Sequence, residues 1–323
     1  MSDDEPDSKP ETEPETEPET EPAPRDPAQL RADKLAELES VEEGRVPRAR
    51  ALPLVADWLD DEDLMVRRFA ARVAARFELD EIPVGGLVAR LEDPAEDETV
   101  RAEVAATLGA VLSLADGLDQ RDHPAAARAR LTLLRMAGVA VGATGALTTS
   151  ESTGDAGVAP SLRRAALVAL GPEAGADPVA GLVWALLASD DRDDQLAGLE
   201  AAGRSGHGRW AGAVRARLDD DAVRHVALRV LGEIGAEGAD EELARALERG
   251  RERERREALA GLIALDTEVA RLALIALAER RDDPLSDEAW MALETASWCL
   301  ARARAAGAKE VGEGAGTSQP SAS

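Results

Sequence analysis

Four side chains of this sequence belong to the types that most readily ligate transition metals or exchange protons near neutrality: His123, His207, His225 and the single cysteine, Cys299. Their spacing does not bring them together. His123 precedes a proline, His207 lies in the glycine-rich RSGHGR, and His225 falls inside a helical pattern. There is no H-x-x-x-H, no His-Glu pair and no Cys/His cluster, so no metal is expected, and one cysteine cannot form an intrachain disulfide. The phosphate-binding and nucleophile-elbow motifs G-x-x-x-x-G-K-[ST], G-x-G-x-x-G and G-x-S-x-G do not occur. Carboxylates are so numerous, 64 Asp and Glu, that any two could be drawn as a catalytic dyad. A solvated acidic surface is the plainer reading. No catalytic residue and no cofactor are expected.

Charge narrows the partners. The formal net charge is −26, of which residues 1–27 hold −9 and the rest −17. Such a field repels nucleic-acid phosphate and anionic lipid. The densest basic run, RGRERERRE (Arg249–Glu257), alternates with glutamate and has no aromatic neighbour for base stacking, so it reads as a salt-bridged helix start. Only three lysines stand against 35 arginines. This acidic, lysine-poor, alanine-rich composition resembles that of proteins from salt-loving archaea, where surface acidity serves solubility in concentrated salt. The acidic start of the chain has no signal-peptide pattern and the longest apolar run, VAGLVWALLA, is half a membrane span, so a cytoplasmic location is expected.

These residues sit on a repeated scaffold. Residues 1–27 carry the tract ETEPETEPETEP and are expected to be a disordered acidic tail, as is the Gly/Ser-rich stretch 306–323. Between them the apolar spacing is helical almost everywhere and no strand is expected; only 2% of residues are aromatic. Ten residues from Val100 read VRAEVAATLG; from Val223, VRHVALRVLG; from Leu162, LRRAALVALG; fainter copies start at Val66, Asp194 and Glu254. The starts lie 34, 62, 32, 29 and 31 residues apart, and the long gap places a degenerate copy near Leu131. Asp63, Asp97, Asp191 and Asp220 stand three positions before a copy, where an N-cap contributes about 1 kcal/mol. Gly109, Gly171, Gly203 and Gly232 end a copy, where a left-handed helix cap is expected. One such helix pair cannot bury its apolar face alone, but a stack can. The predicted fold is therefore all-α: an α-solenoid of about eight stacked helical hairpins over residues 28–305, interrupted by a flexible Gly-rich insertion at 142–160.

The pattern D-x-x-V-R-x-x-A-x-x-x-L-G, closest at Asp220–Gly232 and Asp97–Gly109, resembles HEAT repeats, especially the short subgroup of phycobilisome lyases. The resemblance implies a structural ladder between repeats. Arg67, Arg101, Arg163, Arg224 and Arg255 match its arginine, with Asp63, Asp97 and Asp220 as the acids before them, and Gln195 departs from it. It further implies second helices lining a concave face. There the third and seventh repeat positions would set Arg68, Arg72, Arg164, His225, Arg229 and Arg256 along one candidate partner-binding stripe. The expected function is a non-catalytic scaffold or adaptor for a protein partner. A phycobilin lyase or lyase chaperone is the alternative, and a nucleic-acid-binding solenoid is a further one. Helical-repeat deoxyhypusine hydroxylases carry paired His-Glu dipeptides, and none is present here. Of the five tryptophans, Trp290 is expected in the core, sharing a face with Leu293 and Leu300, and Trp298 elsewhere on that helix.

Overall fold

A computed structural model describes residues 26–141, 147–149 and 158–295. The protein is an all-α solenoid of two layers. Helix α1 (Pro27–Glu42) is followed by six pairs: α2 (Arg48–Trp58) with α3 (Leu64–Ala74), α4 (Glu81–Glu92) with α5 (Glu98–Gly117), α6 (Pro124–Met136) with α7 (Pro160–Ala169), α8 (Val179–Ala188) with α9 (Arg192–Ser205), α10 (Ala211–Ala216) with α11 (Arg224–Glu233), and α12 (Ala239–Arg249) with α13 (Glu252–Leu265). A seventh pair joins α14 (Glu268–Ala278) to α15, residues 286–295. The second helices form one continuous row, each packed on the next from α1 through α3, α5, α7, α9 and α11 to α13, while α2, α4 and α6 stack beside it. Helix α1 thus supplies half of a preceding unit.

The row holds together through the first, fifth and ninth repeat positions. Val66, Ala70 and Ala74, then Val100, Val104 and Leu108, then Leu162, Ala166 and Leu170, then Val223, Ala227 and Leu231 are all buried. Spaced four apart, they form one stripe along each helix. Each buried Val or Leu contributes about 1.5–3 kcal/mol. Asp63, Asp97 and Asp191 cap their helices, accepting from the amides of Met65, Thr99 and Asp193. Asp220 accepts from Ala222 N one turn before α11 begins.

Three expectations are corrected. The 62-residue gap is one enlarged unit, with no repeat copy at Leu131: α6 belongs to the first layer, and the extra length lies in the 20-residue α5 and in the segment after α6. That segment opens with a short antiparallel hairpin, β1 (Val139–Val141) paired with β2 (Leu147–Thr149), where no strand was expected. The remainder of 142–157, the acidic tail 1–25 and the stretch from 296 onward lie outside the described residues. The repeat glycines are the third correction. Gly109, Gly203 and Gly232 lie inside α5, α9 and α11 without positive φ. A Cβ on Gly203 would meet the Glu233 side chain, and Gly171, also without positive φ, opens a single 3-10 turn. Gly109 and Gly232 are crossing points: a Cβ on Gly109 would come within 2.8 Å of Ala169 Cα, and one on Gly232 within 2.2 Å of the Gly261 carbonyl oxygen. Glycine is there because the second helices approach backbone to backbone. Among the described residues no helix is long and apolar enough to cross a membrane.

Candidate functional site: the second-layer face

The second repeat position has a shared task that spacing alone did not disclose. Arg101 Nε donates to Leu91 O at 3.0 Å, Arg255 Nε to Leu247 O at 2.8 Å, and Arg224 Nε to Leu218 O. Arg67 Nη1 donates to Asp61 O and Glu62 O at 2.8 and 2.9 Å. In each case the acceptor lies at or just beyond the end of the preceding first-layer helix, where carbonyls lack an intrahelical donor. Gln195, the departure from the pattern, does the same: its Nε2 donates to Ser189 O at 2.8 Å. Arg163 Nε is buried and without a hydrogen-bond partner among the described residues.

Three of these arginines also reach the next unit. Arg67 grips Glu96 through Nε at 2.9 Å and Nη2 at 2.8 Å, and the Glu96 side chain is only 2% exposed. That hydrogen-bonded carboxylate holds the Arg67 pKa above its ordinary value. Arg255 Nη2 lies 2.5 Å from Asp283, and Arg224 Nη1 lies 3.6 Å from Glu254. Partial burial of Asp283 opposes its charge, but the Leu285 amide and Arg255 outweigh that and hold its pKa low.

The six residues of the candidate stripe meet different fates. Arg72 Nε pairs with Glu42 on α1 at 3.3 Å, and its guanidinium lies 4.4 Å from the centre of the Phe69 ring. Arg68 pairs with Glu103 on α5 at 3.3 Å, and Arg164 with Asp194 on α9 at 3.1 Å. Arg229 sits among three carboxylates, Glu200 on α9, Glu233 on its own helix and Glu257 on α13. Burial works against its charge, yet these acids hold its pKa above the ordinary value. Arg256 is exposed and pairs within its own helix with Glu252 at 3.2 Å. His225 is 4% exposed, so it faces the packed row rather than solvent. Desolvation, helped by the field of Arg253, pushes its pKa below 6.5. A purely basic stripe is therefore corrected to a ladder of alternating charge that ties adjacent second helices together. Glu103 and Glu257 both stand at the fourth repeat position, but they meet arginines 35 and 28 residues away, so only the stacking shows the pairing.

Where this ladder begins, the face opens into a groove of about 660 Å³ between α1, α3 and α5. Leu35, Met65 and Phe69 supply its apolar surface, and Glu39, Glu42, Arg68, Arg72 and Glu103 its charged margin. Met65 is 49% exposed. Among the described residues no cluster of His, Cys, Asp and Glu is arranged to hold a metal ion.

No family model matches the chain, and no curated protein does. Two solved structures are similar in part. Human deoxyhypusine hydroxylase in complex with glycerol is 20% identical over 84% of this chain and 91% of that chain, with a TM-score of 0.32. The complex of CpcE and CpcF of phycocyanin lyase from Nostoc sp. PCC7120 is 19% identical over 76% of this chain and 94% of that chain, with a TM-score of 0.46. Likeness at this level carries no argument about activity. The two-layer helical stack stands on this chain's own packing.

Proposed function

We propose that the protein is a scaffold or adaptor that seats a segment of a protein partner on the second-layer face, with the α1–α3–α5 groove as its anchor point. The groove supports this reading most directly: an apolar strip containing a half-exposed methionine, bordered by charges of both signs. That combination suits an amphipathic helix whose apolar side chains enter the strip while its polar flanks meet Arg68, Arg72, Glu39 and Glu103. Methionine, unbranched and polarizable, adapts its shape to such an anchor. The other arginines of the ladder, Arg164 and Arg229, are held by carboxylates and serve cohesion between repeats in this reading. Nucleic acid is the weaker partner because phosphate would have to displace those carboxylates.

The test is affinity purification of the full chain in concentrated salt from its source organism, beside Met65→Glu and Phe69→Glu variants that melt like the parent. A protein recovered with the parent and absent from both variants supports the groove. Retention of that protein by both variants removes the groove from the reading. A bound tetrapyrrole, seen by its visible absorption, would replace the scaffold with the lyase alternative, and co-purifying nucleic acid would replace it with the third.

A further inference from the structure

Among the described residues, the last first-layer helix breaks the surface rule followed by its neighbour. Helix α12 turns Glu241, Arg245, Glu248 and Arg249 to solvent. Helix α14 buries Ala270, Leu274 and Leu277 and turns Val269, Leu272 and Ile275 outward, at 43%, 61% and 43% exposure. Trp290 on α15, 55% exposed, borders a groove with Ala278 and Glu279 at the end of α14 and so extends the same apolar surface; the core position expected for it is corrected. Terminal repeats of a solenoid ordinarily present a polar outer face, because an apolar one continues the seam and invites association.

We infer that α14 is a self-association face, and that two copies of this chain join tail to tail through antiparallel α14 helices. Three observations select a second copy. Val269 and Ile275 are equidistant in sequence from Leu272. A twofold axis at Leu272 therefore sets Leu272 on its mate and Val269 on the mate's Ile275, as an isologous contact requires. The same axis sets the two α14 helices antiparallel, which opposes their dipoles favourably. The exposed parts of the four apolar side chains amount to roughly 400 Å², about half the ~800 Å² per partner of a stable interface, the share an apolar centre takes inside a polar rim. Head-to-tail stacking is disfavoured because the opposite end is closed by α1, which exposes Gln29, Arg31, Asp33 and Glu39 and no large apolar side chain.

The experiment is sedimentation equilibrium of the full chain at high micromolar concentration in molar salt, which screens repulsion between two chains of net charge −26. The parent should run at twice the chain mass. Leu272→Glu should run at the single mass with an unchanged helical circular dichroism spectrum. In a Cys299→Ser background, Leu272→Cys should cross-link to itself under mild oxidation, since that position lies on the axis. A parent that stays at the single mass overturns the inference, and so does a dimer that persists in Leu272→Glu. Partner capture at the α1–α3–α5 groove is unaffected by either result, so the two readings fail separately.

Discussion

Gly232 on α11 lies directly against Gly261 on α13, so close that a methyl group on Gly232 would stand 2.2 Å from the Gly261 carbonyl oxygen. Neither helix can yield easily, because α11 also packs on α9, and α13 on α12. Gly232→Ala should therefore lower stability by about 1–3 kcal/mol, the usual range for an overpacked core. Gly212, whose added Cβ would meet nothing within 4 Å, is the control: Gly212→Ala should leave the melting temperature unchanged or raise it. Equal melting of the two variants would refute the crossing-point role.

The Arg67–Glu96 pair joins α3 to the loop before α5. Removing one member strands a buried charge, so Arg67→Ala and Glu96→Ala should each cost about 3 kcal/mol in urea unfolding. The double variant should cost clearly less than their sum, because neither charge is then left without its partner. Additive losses would mean that the two residues act independently.

Arg229 offsets the mutual repulsion of Glu200, Glu233 and Glu257. Arg229→Gln should destabilise by about 2 kcal/mol at low ionic strength. Molar salt should recover much of that loss by screening the three acids. Melting curves across a salt series check it, and a loss that does not change with salt would point to packing.

His225 carries a pH signature. Its folded-state pKa lies below the ordinary 6.5 because burial disfavours the imidazolium. The unfolded chain takes up the proton first as pH falls, so the stability contributed by neutral His225 is complete above about 6.5 and declines below it. The melting temperature should fall between neutral pH and the mildly acidic range. His225→Gln should flatten that slope while leaving the carboxylate-driven loss at lower pH. An identical slope in the variant would assign the dependence to other groups.

Much of this architecture was legible in the one-dimensional pattern. The recurring VR-x-x-A-x-x-x-LG located most of the second helices because a buried stripe must recur every four residues. The aspartates three positions earlier announced the starts of α3, α5 and α9, because an orphan amide needs an acceptor at a fixed offset. Three of the readings that went astray show the physical reasons most plainly. Gly109 and Gly232 looked like helix stops, since a glycine ending an apolar run is the same letter whether it bends the chain or admits a neighbour. The gap before Leu162 looked like two periods, since length does not tell a missing copy from a lengthened helix. Trp290 looked internal by its helical spacing, yet burial depends on whether another helix follows.

Sequence by itself determined the all-helical character, the near 31-residue unit and the acidic surface, because these follow from local periodicity and composition. Tertiary structure alone decided which charges meet. The partners Arg67–Glu96, Arg68–Glu103 and Arg229–Glu257 lie 28 to 35 residues apart, and only the stacking of one unit on the next brings them within bonding distance. Stacking likewise decided which apolar faces are covered, and among the described residues it leaves Met65 on α3 and Val269, Leu272 and Ile275 on α14 exposed.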